Sequence, residues 1–359
     1  MRMDSLDVMY AVKELRLLHG AKVEKVLEHD AEKRDFCITM YLKDWPKLHL
    51  RLMPGLLCLQ DEKPGHYPKT PPGFAMFLRK YIGGARLIDA RQRGFDRIVE
   101  LDFESKHGRS TLVIELIPPG NVLLLMKGKI KGLLENQHYK DRNLRGGIPY
   151  EPPQATFDPA SIDDAALAAM ITASTKRSIV TSLAMDVGLG GVYAEEACAR
   201  VGVEKGRADL TQAEVAKVVG AVRELFAQEI APCKDAARAY PFMMRSREIA
   251  PAEQKLYIAA LGAFIENVPA VAKQQAKQPK DKLAVMLEAQ EKQIRKFEKE
   301  MEESQRAGER IYEEYQSLQE IIAIAQKARE ERRDVLDALK AYASVKGYDP
   351  ATGELEVDL

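Results

Sequence analysis

The chain has 359 residues, enough for two or three structural units at roughly 150 residues per domain. Hydrophobic residues make up 46% and charged residues 30%, a composition that supports packed cores and excludes a disordered or collagen-like chain. No run reaches the roughly 20 apolar residues needed to cross a bilayer, and the first residues lack the order of a signal peptide, so we expect a cytoplasmic protein without membrane contact.

The net charge of zero hides an uneven distribution. Residues 1–150 hold 26 Lys and Arg against 19 Asp and Glu, a balance of +7 that leaves −7 for the rest. The first part therefore suits a polyanionic partner, although a solvated basic face without a ligand gives the same count. The basic residues are densest between positions 79 and 97, where they are Arg79, Lys80, Arg86, Arg91, Arg93 and Arg97, and later ones include Lys127, Lys129, Lys131, Lys140, Arg142 and Arg145.

The first part of the chain predicts an α+β domain. Asp4 or Ser5 caps an amphipathic helix that ends at Gly20, and short alternating or apolar runs between 23 and 60 predict antiparallel strands. Pro71 and Pro72 begin a second helix, which ends at Gly83 and Gly84. Further strands are predicted at 97–104, 110–117 and 121–128, with turns at HGRS and PPGN between them.

A proline-rich stretch at 150–159 marks a domain edge, after which the pattern becomes alanine-rich and helical as far as about position 267. A third segment has strict 4,3 spacing, which predicts a long coiled-coil helix. We expect three domains, at 1–155, 156–275 and 276–359, the second all-helical. The heptad positions are Leu283, Leu287, Gln290, Ile294, Phe297, Met301, Ser304, Gly308, Ile311, Tyr315, Leu318, Ile322 and Ala325.

The predicted arm has no partner helix in this sequence, because the chain turns after Ala343 through GYDPATG. Two interpretations follow: the chain is a fragment cut near the tip of a helical hairpin, or it forms a homodimer through the arm. We favour the fragment.

The segment DVGLGGVYAEEACARVG has the glycine order of a helix-hairpin-helix element. Gly188, Gly190 and Gly191 would allow a tight hairpin and bring backbone N–H groups close to a phosphate. A plain helix-helix turn is the alternative, since the nearby Glu195 and Glu196 would oppose a phosphate.

Motifs for metal, nucleotide or covalent chemistry are missing. The six histidines show no HExxH spacing, no GxxxxGK[ST] phosphate loop occurs, and the carboxylates offer no acid/base pair that could be chosen. Cys37, Cys58, Cys198 and Cys233 are far apart and are expected to be free thiols. We therefore expect neither a catalytic site nor a cofactor.

Asp96 and Arg97 in GFDRIVEL come directly before an apolar strand. The planar guanidinium of arginine suits a phosphate or a base edge, and the aspartate could orient it or accept a hydrogen bond from a base or ribose. The alternative is a turn with a local ion pair.

Five colinear stretches closely resemble the NFACT proteins, which include NEMF, Caliban and the prokaryotic RqcH or FbpA proteins. They are PPGFAMFLRKYIGGARL, RQRGFDRIVEL, VIELIPPGNVLLL, RGGIPYEPPQ and VGLGGVYAEEACARVGV, followed by the heptad arm. The resemblance implies an NFACT-N domain like the N-terminal domain of formamidopyrimidine DNA glycosylases, then a helix-hairpin-helix domain and a coiled-coil arm. The family's downstream NFACT-R domain is not represented.

The resemblance also implies a function. Family members bind a large ribosomal subunit obstructed by peptidyl-tRNA and recruit tRNA to extend the stalled chain without mRNA, with alanine in prokaryotes. The aspartate and the Asp-Arg pair associated with tRNA correspond to Asp7, Asp96 and Arg97, and the basic residues Arg79, Lys80, Arg86, Arg91 and Arg93 would add phosphate contacts.

Two other functions stay open. A DNA-binding or DNA-repair protein is suggested by the glycosylase-like domain and the hairpin, but the Pro-Glu amino terminus of those glycosylases is replaced by Met1-Arg2-Met3-Asp4. A fibronectin-binding adhesin is the weaker alternative, because no export signal is present.

Overall fold

A computed structural model describes residues 1–29, 34–63, 67–68, 71–153, 157–267, 315–350 and 352–358, and the isolated helical positions 294, 298, 301, 305 and 309. The chain divides into two compact units, Met1–Val268 and Pro269–Leu359.

Helix α1, Ser5–Leu15, begins the first unit as predicted. Asp4 is its N-cap residue, and the carboxylate of Asp7 accepts a hydrogen bond from the Asp4 backbone N–H at 2.8 Å, which satisfies a donor at the helix start. The apolar side chains of Leu6, Ala11 and Leu15 are fully buried. Helix α1 therefore lies inside the unit, and its first turn contacts other elements.

A nine-stranded sheet forms the centre of the unit, and all its neighbouring strands pair antiparallel in the order β4-β3-β2-β1-β5-β6-β7-β8-β9. The predicted α+β class is confirmed by this sheet. The strands are β1 Lys22–Glu28, β2 Phe36–Tyr41, β3 Leu48–Met53, β4 Leu56–Gln60, β5 Arg86–Gln92, β6 Ile98–Ser105, β7 Gly108–Glu115, β8 Asn121–Met126 and β9 Lys129–Leu133.

Strands β5 and β9 were not expected from the sequence. Both carry charged residues at alternate positions, such as Asp89 and Arg91 in β5 and Lys129 and Lys131 in β9. Charged side chains on one face leave too few apolar residues for the pattern to stand out, while the other face still packs on the core through Ala90 and Ile130.

Helix α2, Gly73–Ile82, packs across the sheet. Ala75, Leu78 and Ile82 are buried, and the Phe77 ring lies so close to Gly132 of β9 that a Cβ on this glycine would be 2.4 Å from the ring. Helix α2 is therefore held against the last strand of the sheet, and its final turn lies beside the β6–β7 hairpin.

The rest of the first unit is mainly helical but not entirely so. Its helices are α3 Asp164–Ala173, α4 Ile179–Met185, α5 Gly191–Val201, α6 Gln212–Ala227 and α7 Tyr257–Asn267. Two small sheets are also present, formed by β10 Gln137–His138 with β11 Asn143–Leu144, and by β12 Cys233–Lys234, β13 Ala239–Tyr240 and β14 Ala250–Pro251.

The three-stranded sheet corrects the expectation of an all-helical second domain. It lies between α6 and α7, where Pro232, Pro241 and Pro251 interrupt any helix because proline lacks the backbone N–H. The backbone pairs across strands instead, and Ala231 N–H donates to the Pro241 carbonyl at 2.8 Å. One continuous hydrophobic core joins this region to α1 and the large sheet. The boundaries at 155 and 275 stay predictions.

The second unit contains α8 Tyr315–Glu330, α9 Val335–Ala338 and a hairpin of β15 Val345–Tyr348 and β16 Leu355–Val357. Ile321 and Ala328 of α8 are buried with Val335 and Leu339. Of the predicted heptad positions in α8, Ile322 is 50% exposed, whereas Ala325 packs against this small core. Most of the predicted heptads lie outside the described residues, and the coiled-coil arm and its homodimer stay predictions.

Candidate nucleic-acid interface

The turn between β5 and β6 carries Asp96 and Arg97, both half-buried. Gln92 attaches this turn to the first turn of α1, because its side-chain amide donates to the Ser5 carbonyl at 2.9 Å and to the Asp96 carbonyl at 2.8 Å. The Arg97 carbonyl accepts from Leu116 N–H at 2.8 Å. The backbone around the Asp-Arg pair is therefore fixed, while the Arg97 side chain is partly open to solvent.

Asp7 lies in the first turn of α1, which Gln92 attaches to the Asp-Arg turn, but it is fully buried. Its carboxylate accepts hydrogen bonds from the hydroxyls of Tyr193 and Tyr257 and from the guanidinium of Arg238. These three donors stabilise the buried carboxylate, because burying a charge without hydrogen-bond partners costs free energy of folding. Asp7 therefore joins α1 to α5, α7 and the small sheet, and its carboxylate has no access to an RNA ligand in this structure.

The charge of Asp7 also affects its partners. Burial raises the pKa of Tyr193 and Tyr257 well above 10, and the Asp7 carboxylate raises it further. Burial by itself lowers the pKa of Arg238, but the attraction to Asp7 outweighs that effect and raises it. The tyrosines therefore stay neutral donors and Arg238 stays charged.

Asp4 is a part of the site that was identified from the sequence only as a helix cap. Its carboxylate is 3.9 Å from the Arg238 guanidinium and feels the charge of Arg97. Burial and the neighbouring Asp7 raise the pKa of Asp4 from 3.8 to about 6, while Arg238 and Arg97 oppose the rise. A second aspartate three residues before Asp7 was the available sequence signal, because N-cap and N3 side chains meet at a helix start.

The predicted glycine hairpin packs against the same two segments. Gly188 and Gly190 both have φ of +79°, which favours glycine. A Cβ on Gly190 would lie 2.4 Å from the Asp4 carboxylate carbon, and one on Gly188 would lie 3.8 Å from the Phe95 ring. The carboxylate of Asp4 thus lies directly against Gly190, and phosphate binding by the hairpin stays a prediction. Gly191, at the start of α5, is exposed.

Arg91 and Arg93 of the predicted basic cluster are paired with carboxylates. Arg91 forms salt bridges with Glu100 at 3.0 Å and with Asp102, and Arg93 contacts Glu100 at 3.1 Å. The hydrogen bond to Asp102 raises the pKa of Arg91. These two arginines neutralise acidic side chains of the neighbouring strand and retain little charge for a ligand.

Arg79, Lys80 and Arg86 lie away from Arg97. In the β5–β6 pair, Gln92 is opposite Val99 at the end next to Arg97. Arg86 is opposite Glu104, at the other end of the same two strands. The Arg79 and Arg86 guanidiniums donate to the carbonyls of Val26 at 2.7 Å and Gly20 at 3.0 Å. The structure therefore brings together Asp7, Asp96, Arg97 and the hairpin glycines, and separates them from these three residues.

Arg97 differs from the other cations at this end of the sheet. In the described part of the chain it forms no salt bridge within 4.0 Å, whereas Arg91, Arg93 and Arg238 all do. Because a guanidinium has five N–H donors in a planar fork, Arg97 retains donors for a phosphate or a base edge.

The described residues contain neither a metal-binding cluster nor a membrane-spanning helix. No group of three His, Cys, Asp or Glu side chains there could hold a metal ion. None of the helices in the same ranges is both long and apolar enough to span a bilayer. All four cysteines are buried free thiols, which confirms the sequence prediction for them.

A family model described as "NFACT N-terminal and middle domains" matches residues 4–348. The chain is 28% identical over 358 residues to the "Archaeal Rqc2 homolog aRqcH" of Methanocaldococcus jannaschii, covering 91% of this chain and 52% of that protein. It is 33% identical over 126 residues to the human "Ribosome quality control complex subunit NEMF", covering 34% of this chain and 11% of that protein. The chain thus spans about half the length of the archaeal relative.

A solved structure shares the fold. It is "The structure of the N-terminal of the fibronectin/fibrinogen-binding protein from Streptococcus suis", with a TM-score of 0.57, 21% identity, and coverage of 74% of this chain and 97% of that one. At this level of identity the likeness describes the fold alone.

Proposed function

Since this chain belongs to the NFACT family, we propose that it acts in ribosome quality control. It binds large ribosomal subunits obstructed by peptidyl-tRNA and recruits tRNA for mRNA-independent addition of alanine to the stalled chain. The names of the archaeal and human relatives support the ribosomal role. The tRNA role rests on the family resemblance of Asp7, Asp96 and Arg97.

The observation that carries the tRNA proposal is the guanidinium of Arg97 at a fixed turn, which forms no salt bridge with any described residue. A phosphate or base edge is held best by a cation whose backbone does not have to be ordered on binding. Arg97 would donate to the RNA, and the neighbouring Asp96 would accept from a base or a ribose hydroxyl. Asp7 would act indirectly, by holding the first turn of α1 beside the Asp-Arg turn.

In this proposal the chain is a positioning factor and not an enzyme. Peptide-bond formation would belong to the ribosome, and the protein would raise the local concentration of a correctly oriented tRNA. Its compartment would be the cytoplasm, where such ribosomal subunits occur.

Co-sedimentation with purified large subunits tests the ribosomal part of the proposal. The chain should pellet with subunits that carry peptidyl-tRNA and less with empty subunits. Equal pelleting with both would contradict recognition of the obstructed subunit. Small ribosomal subunits serve as the control.

The tRNA part is tested with the Arg97→Ala variant. It should lose tRNA-dependent tailing in a reconstituted assay while its circular dichroism spectrum stays unchanged. Tailing at the wild-type rate would contradict the role of Arg97. Competition by duplex DNA provides the control. Duplex DNA at the same concentration as tRNA should displace tRNA from a DNA-binding protein but not from a tRNA-binding protein.

A further inference from the structure

A second basic surface lies at the other end of the sheet from Arg97. It is an open groove of about 570 Å³ between the last turn of α2, the β6–β7 hairpin and the start of β9. Tyr81 and His107 supply rings to it, and Lys127, Lys129 and Lys131 supply charge. We call these five residues the Tyr81 surface.

The rings of this surface are held in place. Tyr81 is half-buried, and its ring centroid is 4.9 Å from that of Phe77, which packs on Gly132. On another side the Tyr81 and His107 rings are 5.9 Å apart at an angle of 59°. Because Phe77 fixes Tyr81, little side-chain freedom would be lost when a ligand contacts the ring.

The charge of this surface is not neutralised. Lys127, Lys129 and Lys131 are exposed, and none of them forms a salt bridge within the described ranges. The Nζ of Lys131 lies 5.8 Å from the centroid of the Tyr81 ring. The Nζ of Lys80, which precedes Tyr81 on α2, lies 5.6 Å from the same centroid. No acidic residue lines the groove among the described residues. Ammonium groups thus surround an aromatic ring, without a carboxylate to oppose an anion.

We propose that the Tyr81 surface binds an unpaired stretch of RNA, with a base stacked on Tyr81 and the adjoining phosphates on Lys127, Lys129 and Lys131. An aromatic face beside a track of cations is what single-stranded nucleic acid requires, since every base has a π-face and every linkage a charge. A paired helix does not offer its bases for stacking. An acidic peptide would use the lysines but gain less from the ring.

This inference rests on the proposed function, because it names which part of a bound RNA meets this end of the sheet. The turn of Arg97 and the hairpin of His107 lie at opposite ends of β6, whose eight residues span roughly 25 Å at about 3.3 Å per residue. A folded RNA with an unpaired loop can bridge that distance, whereas a single strand of only three nucleotides on the Tyr81 surface is too short to reach Arg97. The two contacts can therefore be tested separately.

The experiment measures binding of a fluorescein-labelled single-stranded 12-nucleotide RNA by anisotropy. The wild-type chain should bind it more tightly than a 12-base-pair RNA duplex. Tyr81→Ala should weaken binding of the single strand about tenfold, and Tyr81→Phe, which keeps the ring, should stay within about twofold of wild type. Equal affinity of wild type and Tyr81→Ala would overturn the proposal.

A lysine variant guards against misfolding of Tyr81→Ala. The double variant Lys129→Gln with Lys131→Gln changes two exposed side chains, and it should weaken binding and lower the slope of log affinity against log salt by roughly 1.4. An unchanged slope would overturn the proposal. So would a glutamate-rich 12-residue peptide that displaces the RNA at lower concentration than unlabelled RNA does, since the surface would then favour an acidic peptide.

Arg97→Ala distinguishes this proposal from the proposed function. It should leave binding of a short RNA of three nucleotides, which cannot reach from the Tyr81 surface to Arg97, unchanged while it weakens binding of intact tRNA. If Arg97→Ala instead weakened the short RNA as much as Tyr81→Ala does, the short RNA would not be confined to the Tyr81 surface and the inference would fail. If wild type bound no tRNA yet bound the short RNA in a Tyr81-dependent way, the proposed function would fail and the Tyr81 surface would stand.

Discussion

The two ends of the β5–β6 strand pair contain similar numbers of cations but use them differently. At the Arg97 end, Arg91 and Arg93 pair with the buried carboxylate of Glu100, and Arg238 pairs with the buried carboxylate of Asp7. At the other end, the lysines of the Tyr81 surface are exposed and unpaired in the described structure.

The difference follows from the chemistry of the two side chains. A guanidinium forms several directed hydrogen bonds and is weakly hydrated, which suits partly buried ion pairs, whereas an ammonium is strongly hydrated and stays in water. A count of basic residues therefore overstates the charge that the arginine-rich end offers to a ligand. Arg97 is the exception at that end, and four predictions test this comparison.

The largest effect is expected when the buried pairing at the Arg97 end is broken. Asp7→Ala would leave the Arg238 guanidinium and two tyrosine hydroxyls without their acceptor, and the free energy of unfolding should fall by roughly 3–5 kcal/mol. Urea denaturation followed by circular dichroism measures this. Loss of tRNA binding with unchanged stability would instead indicate that Asp7 contacts the ligand directly.

Titration of Asp4 should give the next largest effect. Its pKa is raised to about 6, so the folded chain holds this proton more tightly than the unfolded chain, and the resulting stability is lost as the pH rises from about 4 through 6. The stability of wild type relative to Asp4→Asn should fall by about 2 kcal/mol over this interval. Urea midpoints at each pH measure it, and a flat difference would show that the Asp4 pKa is normal.

Arg91 and Arg97 should give opposite patterns when each is changed to glutamine. Arg97→Gln should reduce tRNA affinity by about tenfold or more and change the free energy of unfolding by less than about 0.5 kcal/mol. Arg91→Gln should reduce stability by about 1–2 kcal/mol, because Glu100 loses a partner, and affect affinity less. Anisotropy and urea titrations on the same samples provide both quantities. Similar affinity losses would mean that the paired arginine also contacts RNA.

The smallest effect is expected at the unpaired end. Lys127→Gln removes an exposed charge without leaving a carboxylate unpaired, so the free energy of unfolding should change by less than about 0.5 kcal/mol. Thermal unfolding of Lys127→Gln, compared with that of Arg91→Gln, measures this difference in stability. A loss above 1 kcal/mol would reveal an ion pair and remove the contrast between the two ends.

Much of the first unit could be predicted from local sequence. Helix α1, helix α2 and most strands of the large sheet follow from apolar periodicity and from the glycines and prolines that end each element. The resemblance to the NFACT family rests on short motifs in colinear order and is confirmed by the family match over residues 4–348. Strand β5 was missed because Asp89 and Arg91 interrupt its apolar pattern.

The sequence by itself determined which residues form the Asp-Arg turn, the glycine hairpin and the start of α1, because each depends on neighbours along the chain. Only the tertiary structure decided that Asp7 is buried, since its partners Tyr193, Arg238 and Tyr257 are 186, 231 and 250 residues away. Strand register likewise decided that Arg91 meets Glu100, while the lysines of the Tyr81 surface form no salt bridge with a carboxylate that the structure describes. Local patterns fix conformation, whereas burial and charge pairing depend on distant segments that meet only in the folded chain.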